Sequence, residues 1–218
     1  GSCVHESLNA FLTTEEKGKK RIQYAIEEYR KALNRQPLSE KELVELREKE
    51  VTVKEYLTTQ AVDWKKENLS ELNIRGIRFT EHIFLNGKID MIEQLNNKGN
   101  VAVYDFKTGK PKSRSFIEGS IKSSPGDYKR QLVFYKILLD TYKEGKLKMN
   151  VKEGVIAFVE KNDRGVYQTE RFIISKEEVE ELKKLILKVG QEILNLSFIH
   201  TTCEDRACEY CRLRSFMG

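Results

Sequence analysis

No apolar run in this 218-residue sequence approaches the roughly 20 residues that a membrane-spanning helix needs. No charged-then-apolar leader opens it either, so the chain is expected to work in the cytoplasm, with no membrane partner. There is no internal repeat and no Gly/Ser-rich linker, which argues against a repeat array or a string of modules. Low-complexity composition is absent too. Hydrophobic residues at 39% beside charged residues at 33% suit a folded chain with a heavily solvated surface, and the length suffices to bury a core. One domain over residues 1–218 is expected.

Acidic excess is also missing. Lysine and arginine outnumber the acids 39 to 34, leaving a net charge of +5, which permits a polyanionic partner without requiring one. Cysteines are few. Cys3 stands alone near the start, while Cys203, Cys208 and Cys211 gather at the end. In a cytosolic chain such spacing points to a metal, or to nothing, rather than to disulfides.

Apolar residues from Leu8 to Leu33 recur at helical spacing with a polar break at residues 13–19, which predicts two helices. Ser39 with Glu42 reads as a capping box opening a third helix to about Gln60, resumed after a break as far as Asn68. Helical insertion is therefore expected over about 35–68. The β-rich runs LNIRGIRFTEHIFL, KIDMIEQL and VAVYDF follow, the last two joined by NNKG. Ser124-Pro125 predicts a helix to about Tyr142, and two more strands bracket the turn at 162–165. Ser175 with Glu178 caps a final amphipathic helix whose stripe, from Val179 through Leu185 and Val189 to Ile193, is expected against the sheet. The order implies an α/β or α+β fold around one central mixed sheet flanked by helices, of which α/β is the expectation.

Chemistry concentrates in the run GKIDMIEQLNNKGNVAVYDFKTGK. A turn centred between Asn97 and Lys98 sets Asp90 directly opposite Asp105, with Cβ atoms roughly 4.5–5.5 Å apart. Strand alternation puts Lys107 on the face of Asp105 and turns Phe106 and Tyr104 the other way. Two carboxylates beside a lysine fit a structural salt bridge, a solvated strand surface or a divalent-cation site, and the spacing alone leaves all three open.

Asp90 followed by Asp105-Phe106-Lys107 resembles the PD-(D/E)XK nuclease superfamily, and GKID before DFKTGK is similar to its RecB-like branch. Gln131 and Tyr135, four apart on a predicted helix, match that branch's QxxxY motif. GSCVHESL resembles its metal-binding helix, the histidine being His5. The resemblance implies a restriction-endonuclease-like core and a DNA nuclease that uses Mg2+ or Mn2+. It makes His5, Asp90, Asp105 and the Phe106 carbonyl the ligands, and Lys107 the residue that steadies the nucleophile and the charge building on phosphate. Gln131, Tyr135, Thr108 and Lys110 would meet DNA, with Lys112 and Arg114 either helping or merely solvated.

The tail Cys203-x4-Cys208-x2-Cys211 resembles the branch's iron–sulfur staple, but the place of the last cysteine holds Met217 and Cys3 fits the upstream position poorly. Zn2+ held with His200 is the other metal option. With no motor motif in it, the chain fits the exonuclease module of a helicase–nuclease in DNA repair or recombination. A catalytically silent DNA-binding module and a restriction or CRISPR-associated nuclease are the competing expectations.

Overall fold

The structure is a computed structural model that describes residues 1–96, 98–142, 149–197, 203, 208, 209, 211 and 212. The chain divides into two compact units, Gly1–Val179 and Glu180–Gly218.

In the first unit the polar break separates α1 (Ser2–Thr13) from α2 (Gly18–Asn34). Helix α1 stops because Thr14 turns extended, at φ −67° and ψ 147°. Helix α3 (Glu40–Thr59) opens on the expected capping box, with the Ser39 amide donating to Glu42 and the Glu42 amide to the Ser39 hydroxyl. The predicted resumption to Asn68 does not occur: the stretch after Gln60 is a series of turns, and β1 (Leu69–Arg78) begins directly after Asn68.

The run LNIRGIRFTEHIFL is not one strand. It contains the end of β1, a turn closed by the Phe79 amide on the Ile83 carbonyl at 2.9 Å, and the start of β2 (Phe84–Gln94). Strand β3 (Asn100–Lys107) leads through a short helix that periodicity did not reveal, α4 (Arg114–Glu118), into α5 (Asp127–Thr141). Helix α5 opens after Gly126, which takes a left-handed φ of 65°, rather than at Ser124; the Ser124 hydroxyl accepts the Gly126 amide instead. Strands β4 (Asn150–Lys161) and β5 (Tyr167–Ile173) follow, then α6 (Lys176–Leu194) with its Ser175–Glu178 capping box in place.

The five strands form one mixed sheet in the order β1-β2-β3-β4-β5. All neighbours are antiparallel except β3 and β4, which are parallel and need the crossover that α4 and α5 supply. The expected α/β architecture is present. Met91, Ala102, Tyr104, Phe106, Val155 and Ala157 turn one face of the sheet into a core shared with Leu8, Phe11, Tyr29 and Leu57 of α1–α3. Helix α5 covers the opposite face, where Gly154 beside Val103 admits Leu132. Among the described residues no helix is long and apolar enough to cross a membrane.

In the second unit, no described residue is buried. Of the stripe assigned to the sheet, Val179 of the first unit is buried, whereas Leu185, Val189 and Ile193 are 43%, 42% and 56% exposed.

A Cβ added at Gly154 would lie 2.8 Å from Leu132 Cβ and 2.9 Å from its Cδ1. Gly154→Ala is therefore expected to destabilise the first unit by about 1–3 kcal/mol, the range for overpacking a core. Urea unfolding would read this as a lower midpoint at unchanged slope; an unchanged midpoint would mean that α5 does not pack this closely.

Candidate active site

Strands β2 and β3 pair in the register the turn implied, with Met91 opposite Tyr104 and Ile92 opposite Val103. Asp90 and Asp105 come one step beyond that ladder. There the Asp90 carboxylate takes over as acceptor, its Oδ2 receiving the Phe106 amide at 2.8 Å. The Phe106 ring points into the core against Trp64, with centroids 5.2 Å apart, which leaves its carbonyl oxygen 3.1 Å from His5 Nε2.

Asp105 is only 3% exposed. Its Oδ1 accepts the Tyr135 hydroxyl at 3.0 Å. Its Oδ2 lies 2.8 Å from the Lys107 ammonium, but off the hydrogen-bonding direction, so this buried oxygen has an electrostatic partner and no hydrogen bond. Lys107 donates to Gln131 Oε1 at 2.9 Å, and Gln131 Nε2 donates to the Tyr135 hydroxyl at 2.8 Å. These contacts close a ring through Asp105, Lys107, Gln131 and Tyr135. Tyr128, one turn before Gln131 on α5, carries the Lys107 ammonium 4.3 Å above its ring.

Burial pushes the Asp105 carboxyl above its usual range and Asp90 adds to the rise, while Lys107 and the Tyr135 hydroxyl oppose it. Burial and the neighbouring Asp105 also raise the Tyr135 phenol far above its ordinary value, so it stays a protonated donor.

His5 arrives from α1 on the other side. Its Nδ1 is 3.2 Å from Asp90 Oδ1 and 3.8 Å from Glu71 Oε1. Nε2 thus has a carbonyl within hydrogen-bonding distance, while Nδ1 has two carboxylates nearby. His5, Glu71 and Asp90 offer ligand atoms all within 4.8 Å of one another, a nitrogen-and-oxygen set that suits a small divalent ion. Asp105 lies outside that tight group, though Asp90 still acts on it electrostatically.

Glu71 was not anticipated. It lies on β1 between Ser70 and Leu72, which pair with Met91 and Ile89, and so faces Asp90 across the sheet. Its φ of 55° is unusual for a residue with a side chain, and Lys88 forms an ion pair with it. Hairpin arithmetic on β1 and β2 would have found it, but the turn between them has no glycine or proline, and Gly76 shifts the register within β1.

Of the other expected residues, Thr108 is half-buried, with its hydroxyl 3.9 Å from where a Cβ on Gly1 would stand, and Lys110 is exposed. Lys112 stands 5.2 Å over the Phe116 ring. Arg114 is engaged by Glu118 at 3.1 Å and Glu170 at 2.9 Å.

No curated protein matches the sequence. The family model of the PD-(D/E)XK nuclease superfamily matches residues 1–216. The chain belongs to this superfamily. Among solved structures, a protein of Eubacterium rectale provisionally described as an exonuclease is 12% identical, with a TM-score of 0.50 over 92% of this chain and 76% of its own. The protein SSO0001 is 14% identical, with a TM-score of 0.40 over 96% of this chain and 91% of its own. At 12% identity the likeness to the Eubacterium rectale protein is one of fold. Membership makes the chain a nuclease, a hydrolase of phosphodiester bonds that binds nucleic acid.

Because the folded state raises the Asp105 pKa, the protonated acid is favoured there; its stabilising effect is complete below the ordinary carboxylate pKa and is lost as pH rises through the raised value. In metal-free buffer at neutral pH, Asp105→Asn is expected to raise Tm by a few degrees, the gain fading toward acid pH. Calorimetry across pH checks this; a Tm that falls at neutral pH would show the ionised carboxylate to be net stabilised.

Proposed function

We propose that this nuclease is a RecB-like deoxyribonuclease dependent on Mg2+ or Mn2+, acting on DNA ends as the exonuclease module of a helicase–nuclease in repair or recombination. The observation that carries the catalytic part is the closed Asp105–Lys107–Gln131–Tyr135 ring beside the His5–Glu71–Asp90 group. The RecB-like subtype rests on the Gln131 and Tyr135 pair, and the helicase association on the resemblance alone.

His5, Glu71 and Asp90 would hold the cation, with Asp105 and the Phe106 carbonyl at its edge. A bound divalent ion supplies an acidified water and neutralises charge developing on phosphate. The Asp105 oxygen without a hydrogen bond and the crowding of carboxylates fit such an ion.

The chain's own groups do the rest. Lys107 presents an ammonium already oriented by Gln131, Tyr128 and Asp105, so it can meet the transition-state charge without reorganising. Tyr135 and Gln131 act as positioning residues: Tyr135 is buried, and its hydroxyl fixes one Asp105 oxygen. Exposed Lys110 and Lys112, just past the end of β3, are placed to grip the DNA backbone without reading sequence. A silent binding module would have little use for so complete a ring.

The test is cleavage of linear and of covalently closed circular DNA, with Mg2+ or Mn2+ and with chelator. Metal-dependent loss of the linear form alone is expected. Lys107→Ala should slow it about 100- to 1,000-fold, the scale on which one preorganised donor contributes. Tyr135→Phe should slow it about 10- to 100-fold, as outer-shell partners do. Cleavage that survives chelation, or equal rates in Lys107→Ala and wild type, would sink the catalytic reading; cutting of the closed circle would overturn only the exonuclease mode.

A further inference from the structure

Nothing in the nuclease chemistry uses the cysteines of the second unit. We propose that Cys203, Cys208 and Cys211 bind one zinc ion as a structural site belonging to that unit alone.

The three thiols converge. Their sulfur atoms all lie within 4.8 Å of one another, with Cys203 Sγ and Cys211 Sγ 3.3 Å apart. The x4 and x2 spacings bring them from one short segment, and a Cys-x2-Cys pair is a common zinc-binding element. Clustered thiols on a soft-metal geometry favour zinc over the hard ions suited to the carboxylate group of the first unit.

The unit also needs a staple. None of its described residues is buried, so it has no apolar core among them to hold the tail in place. Small folds in that position rely on cross-links or metals. Zinc binding would order the segment by coordination, with three thiols releasing their protons to solvent and no change of oxidation state.

The number of thiols that converge favours zinc over an iron–sulfur cluster. The chain has four cysteines. Cys3 is 4% exposed, packed in the apolar core of the first unit with Val4, Leu8 and Tyr29. The described residues thus bring three thiols together in this group, where the common clusters take four. Zinc accepts three cysteines with a nitrogen or oxygen donor in the fourth place. The site departs in this way from the iron–sulfur staple of the RecB-like branch.

The experiment uses the full chain purified under reducing conditions, with metal content measured by plasma mass spectrometry. About one zinc per chain is expected, retained in Asp90→Asn and lost in Cys208→Ser. Cobalt substitution of the wild-type chain should give an intense near-ultraviolet thiolate-to-cobalt band and visible bands of tetrahedral ligation, a readout that needs no cysteine variant to fold. Iron with acid-labile sulfide, zinc that survives Cys208→Ser, or a Cys203–Cys211 disulfide in place of any metal would each overturn the proposal. None of these readouts depends on DNA cleavage, so the site and the nuclease reading fail or stand separately.

Discussion

A carboxylate buried beside another carboxylate is the constraint from which the rest of the site follows. Asp105 is almost sealed from solvent and feels Asp90 across the hairpin. In so dry a place a negative charge persists only if its surroundings replace water's hydrogen bonds and counter-charge. The Tyr135 hydroxyl and the Lys107 ammonium answer this in part. What they leave unanswered is one oxygen without a hydrogen bond, with the His5 imidazole flanked by two further carboxylates nearby. Three carboxylates, Glu71, Asp90 and Asp105, meet two ammonium groups, Lys88 and Lys107, which leaves the group short of positive charge.

The sheet makes this geometry possible by presenting its two faces to different helices. Phe106 belongs to the face covered by α1–α3, and α1 carries His5 to the Phe106 carbonyl. Asp105 and Lys107 belong to the face covered by α5, which carries Gln131 and Tyr135. One tripeptide at the end of β3 thus reaches helices on both sides of the sheet, because successive residues of a strand point oppositely. Fixing Phe106 in an apolar core and its amide on Asp90 removes freedom where the donor atoms must be held. A glycine at 154 lets α5 lie close enough for its side chains to reach.

Such a site is built against stability. A raised Asp105 pKa and a left-handed Glu71 are both costs that the folded core must offset. The aromatic packing of Trp64 on Phe106, Phe11 and Tyr56 stands directly behind the strand end and supplies rigidity there. The same division between a strained centre and a firm backing is common where preorganised charge is needed.

Much was determined by sequence alone, wherever the deciding interactions are local. The register of β2 on β3 followed from a short turn; the Ser39 and Ser175 capping boxes, from three-residue spacing; and the pairing of Gln131 with Tyr135, from helical geometry. The order of Asp90, Asp105, Phe106 and Lys107 was enough to indicate the superfamily. Tertiary structure alone decided the rest. Glu71 enters the site through a β1–β2 pairing whose turn has no sequence marker and whose register a bulge displaces. That Gln131 and Tyr135 contact Lys107 and Asp105 rather than open surface depends on how closely α5 packs on the sheet. Whether three cysteines in a spaced tail meet is likewise a question of where the backbone turns, and spacing does not answer it. Periodicity states which residues of a helix share a face; what that face meets is set by contacts between residues far apart in the chain.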